Sequence, residues 1–150
     1  LHSLCAHANP DRSYEIWIFH DGLTGENIQE LRKAVAAYPH VLLHFSTMPD
    51  KLAAVLDHRD VKRFSSLAYA RLLAASLLPS HNRIVYLDAD TVIYADVAEL
   101  YDADHGGNPQ GAVRDVSVLS SLIGGYPRRE LRILEPLGLS NPRLYINSGV

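Results

Sequence analysis

The sequence predicts an α/β fold, a three-layer sandwich with a mainly parallel central sheet. Two observations carry that reading. Strand-like and helix-like segments alternate along the chain, an order that implies right-handed crossovers between parallel neighbours. Within it, Ile84-Val85-Tyr86-Leu87 is an apolar run with no polar alternation, the pattern of a strand covered on both faces, and this predicts a central place in the sheet.

The elements follow in order. Leu1, Leu4 and Cys5 in "LHSLCAHA" have helical spacing, without the charged start of a signal peptide. "YEIWIFHDGL", from Tyr14 to Leu23, is aromatic and β-branched and ends in Asp21-Gly22, so it reads as a strand and turn. Thr24 is placed to cap a helix with Glu26 in its first turn, Ile28, Leu31 and Val35 on one face, and Pro39 as its stop. "HVLLHFSTM" gives a second strand, and Pro49-Asp50 opens a short helix, "DKLAAVLDH". From Ser65 to Leu78 runs the strongest helical segment, apolar on most sides and stopped by Pro79; it is expected to pack on the sheet. After the Ile84–Leu87 strand, "DVAELYDAD" supplies one or two helical turns. "QGAVRDV" then reads as a strand, "PRRELRILEPLG" as a polar helix, and "RLYINSGV" as a last strand entering an Asn-Ser-Gly turn. No repeat or linker interrupts the order, and both ends, Leu1 and Val150, read as lying inside a larger domain.

Composition narrows the function classes. A chain of 150 residues, 47% hydrophobic and 21% charged, suffices for one globular core and has no apolar run of the ~18 residues needed to span a bilayer. A net charge of -3, with only Lys62-Arg63 and Arg128-Arg129 as basic runs, excludes nucleic acid as an expected partner. The single cysteine, Cys5, rules out an intramolecular disulfide and fits a small buried residue. The eight histidines show no ligand spacing; His40 and His44 would share a helix face, but their segment reads as strand.

The chemistry sits in "RIVYLDADTVIY", where Asp88 and Asp90 close the apolar run. Eleven aspartates in 150 residues give about one Asp-x-Asp by chance, and Asp102-Ala103-Asp104 is a second copy, so context must decide. Only the first pair ends a predicted strand, where open α/β sheets place ligands, and residues i and i+2 of an extended segment project to one side. Two carboxylates without a neighbouring His or Cys are hard ligands suited to Mg²⁺ or Mn²⁺. Such a pair serves two enzyme classes. A haloacid-dehalogenase-type phosphatase would use Asp88 as nucleophile, and "VYLDADTV" matches its motif. A nucleotide-sugar enzyme would hold a cation against the donor diphosphate. The phosphatase motif normally follows the first strand and is joined by a later lysine, whereas here two strands precede it and no Lys follows Lys62. A third possibility is a domain that binds nucleotide-sugar or metal without turnover.

"FSSLAYARLLAASLLPSHNRIVYLDADTVIYADVAELYD", followed later by "LYINSGV", resembles glycosyltransferase family 8, which includes glycogenin and the bacterial lipopolysaccharide galactosyl- and glucosyltransferases. The likeness runs from about Tyr14 to Val150, and its specificity lies in combining the Tyr-Ala-Arg helix, the Tyr-Leu-Asp-x-Asp segment and the Asn-Ser-Gly-Val turn. It implies a GT-A type sandwich, incomplete at both ends, with residues 1–150 forming the nucleotide-sugar-binding part of a catalytic domain. The implied reaction is retaining transfer of a hexose from a UDP-sugar to a carbohydrate or glycolipid acceptor, dependent on Mn²⁺ or Mg²⁺, in the cytoplasm or at its membrane periphery. By the same resemblance Asp88 and Asp90 bind the metal, Asp88 also lies near the donor ribose, Arg71 reaches the donor sugar or diphosphate, and Asn147 and Asp115 line the sugar pocket. The family's third metal ligand, a C-terminal histidine, and the strand carrying much of its uridine pocket have no counterpart in this stretch, which alone is expected to bind donor poorly. Asn147 and Arg71 are expected to converge with Asp90 on one rim, and Thr91 and Tyr94 to pack or cap.

Overall fold

The computed structural model describes residues 1–47, 70–123, 138 and 141–147. It comprises two compact units, Leu1–Asp102 and Ala103–Val150. The expected helix "DKLAAVLDH", residues 65–69 of the long helix, and the polar helix before Gly138 lie outside the described residues.

The first unit opens with α1 (His2–His7), β1 (Tyr14–His20), α2 (Gly25–Val35) and β2 (Val41–Thr47). The two strands are parallel, in register from Tyr14 opposite Val41 to His20 opposite Thr47, with α2 as the crossover. Thr24 caps α2 as expected: its Oγ1 accepts the Asn27 N–H at 3.2 Å, satisfying a donor the first turn leaves open. The helix stops at Val35, ahead of Pro39, because the Ala36 and Tyr38 N–H groups fold back onto the Lys33 and Val35 carbonyls. Residues two apart share a sheet face, so Tyr14 and Ile16 join Val41, Leu43 and Phe45 beneath α1 and α2. Cys5, Ala8, Val35, Val41 and Leu43 form the buried cluster there; burying a side chain the size of Val or Leu contributes about 1.5–3 kcal/mol.

The opposite face carries Glu15, Trp17 and His44. His44 lies across from Trp17 in the register and stacks on its ring, centroids 4.3 Å apart and planes within 12°. His81 meets the same indole edge-on at 6.1 Å, and both imidazole Nε2 atoms lie 3.5 Å from Glu15 Oε2. His40 packs edge-on against Tyr14 and Tyr38. These histidines pack on aromatic rings, and the strand assignment around His40 and His44 holds.

Helix α3 (Ala70–Leu77) and helix α4 (Ala98–Asp102) complete the unit, α3 ending before Pro79 as expected. Between them the structure departs from the sequence reading. Among the described residues the only ladder joins β1 and β2, and residues 83–88 belong to no strand. Burial is partly as expected, with Val85, Tyr86 and Leu87 half-buried, but Ile84 is 36% exposed. An apolar run sets burial, whereas ladder pairing needs a partner backbone, which the run itself does not specify.

Three bonds tie the stretch after the aspartates to the start of the chain. Ser3 Oγ accepts the Ile93 N–H at 3.1 Å, Tyr14 donates its hydroxyl to Asp96 Oδ1 at 2.8 Å, and Arg12 pairs with Asp102. Asp96 also caps α4 by accepting the Ala98 N–H at 2.9 Å. Tyr94, expected to pack or cap, is 83% exposed.

In the second unit, Gly106 and Gly107 take positive φ (58° and 79°), where a Cβ would be strained. Among the described residues the expected strands "QGAVRDV" and "RLYINSGV" show one antiparallel bridge, Arg114 to Ile146, flanked by Asp115 N–H to Tyr145 O at 3.0 Å and Asn147 N–H to Val113 O at 2.8 Å; the rest of the Asn-Ser-Gly turn lies outside them. A short 3₁₀ turn, Pro142–Leu144, precedes it. Helix α5 (Val116–Ile123) was not expected; the expected strand "QGAVRDV" ends in the β-branched Val116, but Asp115 caps the chain into a helix there. No helix among the described residues is long and apolar enough to cross a membrane.

Candidate functional site

Asp88-Ala89-Asp90-Thr91 forms a tight turn. The Thr91 N–H and hydroxyl both donate to the Asp88 carbonyl, at 3.2 and 2.8 Å, which closes the chain and makes Ala89 and Asp90 its central residues. The aspartates therefore sit on a turn, not on an extended strand end. Thr91 caps as expected. Asp90 is exposed, and Asp88 is half-buried with a side chain 35% exposed.

Arg71 reaches this turn from the first turn of α3. Its Nη2 lies 3.2 Å from Asp88 Oδ1, and with a side chain only 22% exposed the pair is shielded more than a surface ion pair. Tyr86, two residues before Asp88, donates its hydroxyl to the same Oδ1 at 2.7 Å, while the Arg71 guanidinium lies over its ring, 5.0 Å from the centroid. Burial and the neighbouring Asp88 push the Tyr86 hydroxyl up to about 12, and the Asp90 charge acts in the same direction. The phenol thus stays protonated and remains a donor at neutral pH. Tyr86 escaped the sequence reading, although the i, i+2 spacing applied to Asp88 and Asp90 joins Tyr86 to Asp88 as well.

In the second unit, Asp115 Oδ1 accepts the Val118 N–H at 2.9 Å, which makes it the cap of α5, and Asn147 Nδ2 donates to Asp115 Oδ2 at 3.4 Å. The structure thus brings Arg71 to Asp88 in one unit and Asn147 to Asp115 in the other. No group of three or more His, Cys, Asp or Glu side chains that could hold a metal forms among the described residues. Asp88 and Asp90 still fit a hard divalent cation as a partial ligand set, since both are oxygen donors on a solvent-reaching turn and Mg²⁺ or Mn²⁺ keeps several ligands from water or phosphate.

The parallel sheet with its helical crossover belongs to an α/β fold, and the solved structure it matches makes it part of a GT-A type glycosyltransferase domain. Over 99% of this chain the structure matches WbbM, described as a bifunctional glycosyltransferase in its apo form, with a TM-score of 0.78 and 26% identity, covering 27% of that protein. The chain belongs to glycosyl transferase family 8, whose family model matches residues 1–149. Among curated relatives, the probable galacturonosyltransferases 13 and 14 of Arabidopsis thaliana are 31% and 33% identical over 122 residues, 71% of this chain and 23% of theirs. The chain thus spans about a quarter of the length of the relatives it matches. Family membership sets aside the phosphatase alternative.

Proposed function

We propose that the protein is a retaining glycosyltransferase, that it moves a hexose or hexuronic acid from a UDP-sugar to a carbohydrate or glycolipid acceptor, and that this chain carries the donor-binding part. The observation that supports this most is the convergence of Arg71 and Asp88 on one turn, because a diphosphate donor needs a cationic group beside its metal ligands. Asp88 and Asp90 would hold Mn²⁺ or Mg²⁺, which when bound offsets the charge developing on the departing diphosphate. Arg71 is already oriented by Asp88 and Tyr86, so little further ordering is required for it to meet a phosphate oxygen. Asn147 and Asp115 would supply polar contacts to the sugar hydroxyls. A uronic acid donor is included because the relatives named above are galacturonosyltransferases.

The test is UDP release by the full-length protein from UDP-galactose, UDP-glucose and UDP-galacturonate, with Mn²⁺ and with chelator, and the anomeric configuration of the product by NMR. Release from at least one donor, lost in chelator and reduced at least 100-fold in Asp90→Asn, is expected. Release undiminished in chelator or in that variant overturns the metal-dependent reading. Binding of a UDP-sugar with no release would instead favour the non-catalytic domain.

A further inference from the structure

We infer that Tyr86 is a positioning residue for the metal ligand: its hydroxyl, with Arg71, fixes the Asp88 carboxylate through Oδ1 and leaves Oδ2 to take the cation. The inference rests on the metal reading proposed above.

A free aspartate carboxylate turns easily, because its terminal torsion is broad and nearly two-fold. At Asp88 that freedom is removed. Tyr86 donates to Oδ1 at 2.7 Å and Arg71 reaches the same oxygen at 3.2 Å, so one carboxylate oxygen is committed to protein donors. The phenol is itself held: it is half-buried, and the Arg71 guanidinium covers its ring at 5.0 Å. The two donors act differently. Arg71 brings positive charge, which also repels a cation, whereas a neutral phenol orients the carboxylate without that opposition. Outer-sphere hydrogen bonds to a ligating carboxylate typically change metal affinity by about 10–100-fold.

The experiment measures Mn²⁺ binding to the full-length protein in the absence of donor, from the electron paramagnetic resonance signal of free Mn²⁺, for wild type, Tyr86→Phe, Tyr86→His and Asp90→Asn. Tyr86→Phe keeps the ring beneath Arg71 and removes only the donor. It should bind Mn²⁺ about 10-fold or more weakly with the near-UV circular dichroism of the apoprotein unchanged. Tyr86→His, which retains a ring N–H, should bind more tightly than Tyr86→Phe and gives a second reading should the phenylalanine variant misfold. If Asp90→Asn loses Mn²⁺ while both Tyr86 variants bind within two-fold of wild type, the role assigned to Tyr86 is wrong and the metal reading stands. If wild type binds no Mn²⁺, or Asp90→Asn binds as well as wild type, the metal reading fails and takes this inference with it.

Discussion

Replacing Tyr14 with phenylalanine should loosen the tether between β1 and the segment that follows the acidic turn. The Tyr14 hydroxyl donates to Asp96 Oδ1 at 2.8 Å and accepts the Asn9 N–H at 3.0 Å. A hydrogen bond to a charged group contributes about 1.5–3 kcal/mol and a neutral one about 0.5–1.5 kcal/mol. Asp96 is only half-buried and water can replace the phenol at Asn9, so the expected loss is about 1–2 kcal/mol. With a urea slope of about 1.5 kcal/mol per molar, the midpoint should fall by about 1 M. The assay is urea unfolding followed by Trp17, the single tryptophan, which lies in β1. The difference should also depend on pH. Burial opposes the Asp96 charge, but the Ala98 N–H, the Tyr14 hydroxyl and Arg12 outweigh it and hold the carboxyl below its usual range. A carboxyl with a depressed folded value stabilises above its unfolded pKa, about 3.9, and loses that contribution as pH falls through the folded value. The gap between wild type and Tyr14→Phe should therefore be full at pH 7 and narrow below about pH 4. A midpoint change under about 0.2 M at pH 7, or a gap that is the same at pH 7 and pH 3, would refute the reasoning.

Thr24→Ala removes the α2 cap and should cost about 1 kcal/mol, read by the same Trp17 transition. Cys5 is 1% exposed and burial pushes its thiol up, so an aromatic disulfide reagent should leave it unmodified at pH 8 until urea opens the first unit; prompt labelling of the native chain would contradict this placement. Asp115→Ala should cost about 1 kcal/mol in thermal unfolding followed by far-UV circular dichroism, whereas Asp115→Asn, an equally good cap, should change it by no more than a few tenths.

What the sequence disclosed and what it hid divide along physical lines. Elements governed by local period and capping were legible: α1, β1, α2 with Thr24, β2, the described part of α3, and α4 all lie where composition put them. So was the burial of Cys5. Features set by partners distant in sequence were not. The run at Ile84–Leu87 has the composition of a central strand, yet no ladder bonds form along it among the described residues. At Asp115 the local signals competed, since two β-branched valines favoured strand while the aspartate and the later Leu119, Leu122 and Ile123 favoured helix. Arg71 came to the site through a resemblance, and its contact with Asp88 supplies a physical reason that spacing alone did not. Tyr86 was visible in the quoted motif but was read only as an apolar member of the run.

The bonds that anchor the acidic turn's downstream segment reach back 90, 82 and 90 residues, from Ile93 to Ser3, Asp96 to Tyr14 and Asp102 to Arg12. The contacts among α1, β1, α2 and β2 close within the first 47 residues. Closing a long loop costs entropy that grows with its length, so those late contacts form after the early ones have made a surface to receive them. During synthesis the residues of β1, α2 and β2 leave the ribosome before Asp88 and Asp90 do. In refolding, the Trp17 signal should therefore recover before the turn that carries the aspartates becomes ordered. The acidic turn is thus ordered on a platform laid down by the first 47 residues of the chain.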